Sequence, residues 1–129
     1  MTKRTIIIAE AGVNHNGKIS IAKKLILAAK KTGADYVKFQ LYDPDEMVTQ
    51  KALAASYQKK NTSNRFLNQY SLLKSLVLDQ DQILKLYEYA KHAKIGFLLS
   101  VFDLKSAQIF KRLKLDFIKI PSGEITNLP

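Results

Sequence analysis

The stretch TIIIAEAGVNHNGKISIAKKLILAAKKTGADYVKFQL, residues 5–41, contains the pattern that decides the fold. Its first residues, 5–9, form a continuous apolar and β-branched run, which is typical of a strand buried on both faces of a parallel sheet. A loop rich in Gly and Asn follows, and residues 20–34 then place apolar side chains at helical spacing with lysines on the other face. Residues 35–41 read as a second strand, so the stretch predicts one strand–helix–strand unit.

The predicted helix has residue types suited to both of its ends. Ser20 is a favourable N-cap residue, and Gly33 stands where a left-handed residue commonly closes a helix. The apolar face that should pack on the sheet consists of Ile21, Ala22, Leu25, Ile26 and Ala29.

The same alternation continues along the chain, beyond a long polar stretch at 43–65. The patterns predict helices over 65–76, 79–96 and 103–114 and strands over 97–102 and 116–120. The connections are long enough for right-handed crossovers between parallel strands. Four βα units predict an α/β fold, either half of an eight-stranded TIM barrel, which usually needs ~250 residues, or a small doubly wound sheet.

Composition sets the broad class of protein. The chain has 129 residues, of which 47% are hydrophobic, and this suits one globular domain with a real core. It has no cysteine, which excludes disulfides and thiolate metal sites. The N-terminal residues do not read as a signal peptide and no run approaches the ~18 apolar residues of a membrane span, so we expect a soluble, cytoplasmic protein.

The net charge of +10 leaves several interpretations open. It fits a nucleic-acid binder, a solvated lysine-rich surface, a site for a small anionic substrate, or a protein whose balancing acidic residues lie in another part. The lysines come in pairs spread along the chain, such as those at 23–24, 30–31 and 59–60, without an RNP-like string or an Arg-rich tract. Nucleic acid is therefore the partner that the pattern favours least.

Polar side chains occur at or just beyond the carboxyl end of each predicted strand, which is the ligand side of α/β folds. The candidates are Glu10, Lys38, Gln40, Ser100, Lys119, Ser122 and Glu124. Lys38 and Lys119 lie within apolar strands, where a lysine is unusual. An internal salt-bridge network could explain them, but the pattern favours a shared anion such as a phosphate or carboxylate.

The two histidines, His15 and His92, give no pair or cluster with metal-ligand spacing, so a metal site within this chain is not predicted. The loop at 11–18 matches neither a P-loop nor a dinucleotide fingerprint. Asn14, His15 and Asn16 in this loop could face the site or simply shape a tight turn.

The strings AEAGVNHNG (9–17) and KIPSGEITNLP (119–129) resemble the sialic acid synthase family, which includes N-acetylneuraminate synthase and its legionaminic and pseudaminic acid relatives. The resemblance extends over essentially the whole chain. It implies a TIM barrel in which residues 1–129 are the N-terminal half, while the second half and an antifreeze-like domain are absent. Family members condense phosphoenolpyruvate with an open-chain N-acetylated amino sugar, typically N-acetylmannosamine, and use Mn²⁺ or Mg²⁺.

The resemblance also implies residue roles. Lys38 and Lys119 would hold the phosphate and carboxylate of phosphoenolpyruvate, with Ser100 and Ser122 adding hydroxyl donors. Glu10 and Glu124 would serve proton transfer and sugar binding, and Gln40 would touch the sugar. One departure is the string LSVFD (99–103), where the family usually has STPFD, so the loop at the phosphate is in doubt.

The family's metal-binding histidines lie in the second half of the barrel and are outside this chain. We therefore expect the transferase activity to be lost in the isolated 129-residue chain, or to need a complementing C-terminal polypeptide, and a homodimer is possible. The alternative is a basic, non-catalytic binding module derived from the barrel. The sequence does not identify the nonulosonic acid, although YQKKNT (57–62) disfavours pseudaminic acid.

Overall fold

The computed structural model describes residues 4–51, 53 and 68–127. Its regular elements are β1 (Ile8–Gly12), α1 (Ile19–Lys31), β2 (Tyr36–Leu41), α2 (Pro44–Met47), α3 (Gln69–Leu76), α4 (Gln80–His92), β3 (Gly96–Val101) and α5 (Leu104–Leu113). A short 3-10 turn, Ser122–Glu124, follows. The strands form one parallel sheet in the order β1-β2-β3, with helices between them as predicted.

The helices cover one face of the sheet and form the core with it. Val37 and Phe39 of β2 are fully buried on this face, as are Ile26 of α1 and Ile83 and Leu86 of α4. Each of these large side chains contributes roughly 1.5–3 kcal/mol when it leaves water. Because side chains alternate along a strand, the residues between them point to the opposite face, over which no helix lies among the described residues; we call it the helix-free face. The candidate site lies on that face.

Aspartates begin the helices that follow β2 and β3. Asp79, the N-cap of α4, accepts a hydrogen bond from Gln82 N at 2.7 Å, and Gln82 Oε1 accepts one from Asp79 N at 2.9 Å. This reciprocal capping box satisfies two backbone donors that a helix start would otherwise leave unpaired. Asp103 caps α5 by accepting from Ser106 N at 2.8 Å, without the reciprocal bond of a capping box. The predicted aspartate cap at 79 is confirmed.

The start of α1 differs from the prediction, whereas its end agrees. The helix begins at Ile19 with Lys18 as N-cap, so Ser20 is not the cap. The Lys18 carbonyl already accepts from Ile21 N and Ala22 N, so the N-cap lies two residues before Ser20. At the other end Gly33 has φ of 81°, and its N–H donates to the Lys30 carbonyl, as a left-handed closing glycine does.

The first strand lies further along the chain than predicted. Parallel pairing begins at Ile8 opposite Tyr36, and the strand runs to Gly12 rather than from 5 to 9. Asp35 defines this start, because its carboxylate accepts from Ile7 N at 2.8 Å and its own N–H donates to the Ile7 carbonyl at 2.9 Å. The prediction of burial on both faces is also wrong for Ile6, Ile7 and Ile8, which are about half exposed at the edge of the sheet.

The predicted fourth strand, 116–120, is reduced to a single parallel bridge between Ser100 and Lys119. Lys119 N donates to the Leu99 carbonyl at 3.3 Å, which is long for a ladder bond. The apolar side chains of this segment, Phe117, Ile118 and Ile120, remain about half exposed. Burial against further elements is what would hold such a segment as a regular strand, and the described residues provide little of it.

The polar stretch after β2 begins with a short helix that the sequence did not predict. Its start forms the one-turn helix α2, in which Asp43 accepts from Asp45 N at 3.0 Å and Pro44 takes the first helical position. The predicted helix at 65–76 is present as α3. Residues 65–67 and the string YQKKNT lie outside the described residues. No helix within the described ranges is long and apolar enough to cross a bilayer.

The β1–α1 loop is closed by a buried histidine. His15 is 1% exposed, its Nδ1 accepts from Gly17 N at 3.1 Å, and its ring packs on Phe39 with centroids 6.0 Å apart. Nδ1 acts as an acceptor here, so the ring is neutral with its proton on Nε2. Burial lowers the pKa of His15 below its ordinary value of 6.5. Of the two alternatives for this loop, the geometry gives His15 a structural role.

Asp79→Ala should lower the free energy of unfolding by about 1 kcal/mol, because it removes the capping oxygen of α4. Urea denaturation of the wild-type and variant chains measures the change. Asp81→Ala is the matched control, since Asp81 is an exposed acidic residue in the first turn of the same helix. An equal loss of stability in both variants would show that the charge, not the capping bond, matters.

Stability should also fall as the pH drops from 7 to about 5.5. The folded chain holds His15 with a lowered pKa, so the unfolded chain binds a proton first. The stabilisation is therefore complete above about pH 6.5 and is lost as the pH falls towards and below the folded pKa. His15→Gln should make the urea midpoint nearly independent of pH between these values. A pH-independent midpoint in the wild type would contradict this.

Candidate active site

Lys38 stands at the centre of the helix-free face and joins the three strands. It is 8% exposed, and its Nζ lies 2.6 Å from Glu10 Oε2 of β1 and 2.6 Å from Ser100 Oγ of β3. Register places Lys38 directly opposite Glu10. An ammonium group has three N–H donors, and these two bonds use two of them. The third is available to a bound anion.

Glu10 is more open than its partner. Its side chain is 54% exposed, and only one of its carboxylate oxygens bonds to Lys38. The register of the β1–β2 pairing shifts between Glu10 and Gly12, which interrupts the ladder beside the Glu10 side chain. A Cβ at Gly12 would lie 3.2 Å from Glu10 Oε1 and 3.7 Å from Gln40 Nε2. Glycine therefore leaves room for the free carboxylate oxygen and the Gln40 amide to approach each other.

Lys119 reaches the same part of the fold through its bridge to Ser100, which in turn bonds to Lys38. Its side chain is exposed, and Nζ donates to the carbonyl of its neighbour Ile120 at 3.0 Å. Among the described residues, Lys119 has no carboxylate partner within ion-pair distance. The structure thus brings Glu10, Lys38, Gln40, Ser100 and Lys119 to one end of one sheet face.

Ser122 and Glu124 lie in the 3-10 turn beyond this cluster. Ser122 is exposed, and Glu124 is half-buried and accepts from Asn127 Nδ2 at 2.6 Å. Glu124 also lines a cavity of about 560 Å³ with Phe102, Asp103 and other residues at the end of β3. In the ranges that the structure covers, no hydrogen bond or ion pair links Glu124 to Lys38. Ser122 and Glu124 therefore lie near the strand ends but, among the described residues, are not joined to the Lys38 cluster.

A second polar cluster clamps the loop after β2 to the start of α5. Asp103 Oδ2 accepts from Asp43 N at 2.8 Å, and Lys105 Nζ lies 2.9 Å from both Asp43 Oδ2 and Glu46 Oε1. The hydrogen bond from Lys105 lowers the pKa of the Asp43 carboxyl. Sequence reasoning missed this clamp. The Asp43-Pro44 pair, an N-cap followed by a proline, was the available signal.

Tyr42 connects the same loop to helix α3. The side chain is buried, its hydroxyl donates to the Leu73 carbonyl at 3.1 Å, and its ring meets Phe102 edge-on with centroids 6.2 Å apart. Burial raises the pKa of Tyr42 to about 12, so the phenol stays protonated as a donor. The loops after β2 and β3 are thereby held together beside Gln40 and Ser100.

The described residues do not fit a divalent metal. They contain no group of three His, Cys, Asp or Glu side chains placed to hold an ion. His15 Nδ1 is occupied by Gly17 N, and His92 Nδ1 lies 2.7 Å from the Glu88 carbonyl on the outer helix α4. No step of the chemistry is therefore assigned to a metal held by these side chains.

This arrangement can anchor an anion and position a proton carrier. Lys38 and Lys119 supply fixed positive charge and N–H donors, while the Ser100 hydroxyl orients the Lys38 ammonium. The free oxygen of Glu10 and the carboxylate of Glu124 can accept or deliver protons. Such a set can bind a small anion through its two ammonium groups.

The chain is similar to curated synthases over almost its whole length. It is 48% identical over 127 residues to the N,N'-diacetyllegionaminic acid synthase of Campylobacter jejuni, covering 98% of this chain and 38% of that protein. The enzyme of the same name from Legionella pneumophila is 46% identical, with 95% of this chain and 34% of that protein covered. The chain thus spans little more than a third of the length of these relatives.

A solved structure gives the same result for the fold. The N-acetylneuraminic acid (sialic acid) synthetase of Leptospira borgpetersenii, crystallised with citrate, matches with a TM-score of 0.75 and 26% identity, covering 97% of this chain and 39% of that one. This match confirms the predicted partial TIM barrel rather than a doubly wound sheet. The model of the NeuB family matches residues 25–129. The chain belongs to the NeuB family.

Proposed function

We propose that this chain supplies the phosphoenolpyruvate-binding half of a synthase that joins phosphoenolpyruvate to an N-acetylated amino sugar. The observation that carries the proposal is Lys38, a buried ammonium group held between Glu10 and Ser100 with a donor to spare. Burying a charge is costly unless it is paired and hydrogen-bonded. Glu10 and Ser100 offset that cost with two bonds, and the third N–H donor would serve a bound anion. Membership of the NeuB family supports a synthase of this class.

Phosphoenolpyruvate carries a phosphate and a carboxylate, which call for two cations at a fixed separation. Lys38 meets this need from the middle strand, and Lys119 meets it from the segment beside β3. Lys119 is exposed and has no carboxylate within ion-pair distance among the described residues, so an incoming anion displaces only its bond to the Ile120 carbonyl. Ser100 and Ser122 would add hydroxyl donors to the phosphate oxygens.

The two carboxylates would serve the reacting carbons. In the proposed reaction the methylene carbon of phosphoenolpyruvate attacks the sugar aldehyde and forms the new C–C bond. Water adds at the carbon that bears the phosphate, the C–O bond breaks and inorganic phosphate leaves. Glu124 would move a proton in these steps, and Glu10, with Gln40, would hold sugar hydroxyls, since general acid–base catalysis needs a positioned carboxylate.

The sugar that we propose is the N-acetylated precursor of a legionaminic-type acid. This choice rests on two of the most similar relatives, both named N,N'-diacetyllegionaminic acid synthase and both more than 45% identical. A sialic acid precursor such as N-acetylmannosamine is the alternative that a substrate comparison must separate. The two classes differ in the substituents of the sugar, and Gln40 and Glu10 are the residues here that would contact them.

Replacing the two lysines should abolish phosphoenolpyruvate binding. Lys38→Met keeps the buried aliphatic stem and removes the charge, so affinity should fall about 10- to 100-fold, the range expected for one charge-assisted bond. The double variant with Lys119→Met should show no measurable binding by calorimetry. Lys24→Met, an exposed lysine of α1, is the matched control. Equal affinity of the double variant and the wild type would disprove the anion site.

Ser100→Ala tests how the Lys38 ammonium is held. The variant removes the hydroxyl that accepts from Nζ at 2.6 Å but leaves the Glu10 pair intact. We expect affinity for phosphoenolpyruvate to fall about 3- to 10-fold, in line with one hydrogen bond. Ser106→Ala is the control, because Ser106 is another buried serine, outside the Lys38 cluster. A larger loss for Ser106 than for Ser100 would contradict the assignment.

A chimera tests the reaction itself. This chain would replace the corresponding segment of the Campylobacter jejuni synthase, and formation of the nonulosonic acid would be followed with each candidate sugar. We expect product from the chimera, and a 10²- to 10⁴-fold lower rate after Glu124→Gln, the range for loss of general acid–base catalysis. Asp116→Asn is the control carboxylate. A folded chimera without activity, or an unaffected Glu124→Gln chimera, would refute the proposal.

A further inference from the structure

Seven exposed basic side chains lie at the end of the fold opposite the candidate active site. Each helix returns antiparallel to its strand, so the last turns of the helices stand beside the amino ends of the strands. The last turns of α1, α4 and α5, and the residues just after α4 and α5, supply these groups. This basic end consists of Lys30, Lys31, Lys91, Lys94, Lys111, Arg112 and Lys114.

The three helix ends are neighbours and form one continuous surface. Helix α1 packs against α4, and α4 packs against α5. Lys30 Nζ donates to the Lys94 carbonyl at 2.6 Å, which joins the first two ends directly. Packed helices lie ~8–10 Å apart, so the basic end forms an arc roughly 20 Å long.

The carboxylates at this end are already engaged. Asp35 binds Arg4 at 2.5 Å and the Ile7 N–H at 2.8 Å, and Asp116 accepts from the Tyr36 hydroxyl at 2.9 Å. Within the described ranges, none of the seven basic side chains forms an ion pair. The seven basic side chains therefore give this end an excess of positive charge.

Helix dipoles do not account for the whole cluster. A cation in the last turn stabilises a helix, but the effect fades beyond that turn. Lys114 is the C-cap of α5, whereas Lys94 lies beyond the C-cap of α4, and both are left-handed, with φ of 47° and 56°. A side chain with a Cβ is strained in this conformation, and α1 has Gly33 at the equivalent place. Both positions carry a charged lysine although glycine would relieve the backbone strain.

We propose that the basic end binds the acidic surface of a partner protein. A small anion is a poor occupant, because helix ends present carbonyl oxygens there and the ammonium groups spread along an arc instead of converging. Nucleic acid is also disfavoured. Of the seven basic side chains only Arg112 carries the planar guanidinium that binds phosphates bidentately, and the other six are lysines. Mixed charges with a large basic excess fit a protein with an acidic patch.

Binding at this end leaves the Lys38 face open. The partner and the small-molecule substrate would occupy opposite ends of the strands, so the two interactions can occur together. The inference does not depend on the proposed synthase activity, and either can fail alone.

The test uses fluorescein-labelled poly-L-glutamate as the acidic probe, measured by anisotropy at ~50 mM and ~500 mM salt. The triple variant Lys31→Gln, Lys91→Gln, Lys111→Gln should bind about tenfold more weakly than the wild type at low salt. The control, Lys24→Gln, Lys51→Gln, Lys85→Gln, removes the same charge from exposed lysines elsewhere and should stay within about twofold. Circular dichroism verifies that both variants fold.

Three results would overturn the proposal. Equal losses in the two triple variants would mean that net charge alone attracts the probe. No binding by the wild type at ~50 mM salt would remove the surface altogether. A single-stranded oligonucleotide of equal charge that binds the wild type more tightly than poly-L-glutamate, and loses affinity in the Lys31, Lys91 and Lys111 variant, would identify nucleic acid as the partner class.

Discussion

The buried ammonium group of Lys38 is the constraint on which the rest of the site depends. A lysine in the middle strand of a sheet is costly to bury unless its donors are satisfied. Here β1 provides Glu10 and β3 provides Ser100, so both strands beside β2 bond to the Lys38 Nζ atom. Because Glu10 stays half in water, the pair itself contributes little net stability. Its value lies in fixing one cation where three strands end.

The two faces of the sheet differ: one packs against helices and forms the core, and the other carries the candidate site. Helices α1 and α4 cover the face that carries Val37 and Phe39, and this layer supplies the core. The other face has no helix over it in the described residues and carries the polar groups. Ile8 at one edge, and Phe117 and Ile120 near the other, are about half exposed. In a closed eight-stranded barrel of the kind seen in longer relatives, neighbouring strands would cover such edges.

Local patterns predicted the elements whose stability is local. The spacing of Ile83, Leu86 and Ala90 and the Asp79 cap predicted the start and the buried face of α4 correctly, because capping and an amphipathic face act within a few residues. The predicted end at 96 is wrong, since the helix ends at His92 and Gly96 begins β3. The start of β1 and the state of 116–120 depend on pairing with distant residues, namely Asp35 and Ser100, and no local pattern contains that information. The polar candidates could be selected from the sequence because α/β folds bind ligands at the carboxyl ends of their strands. A contact between strands, such as that of Lys38 with Ser100, cannot be predicted without knowing the register in which the strands pair.

Charge follows the direction of the helices and so separates along the strand axis. Carboxylates such as Asp43, Asp79 and Asp103 cap helix starts at the end where the site lies, and cations gather at helix ends on the opposite side. Each placement is favourable for its own helix. In a parallel βα fold the helices all point the same way, so local preferences add up to a polarised molecule. The net charge of +10 therefore says little about the site, whose cations are two lysines, and much about the far end of the fold.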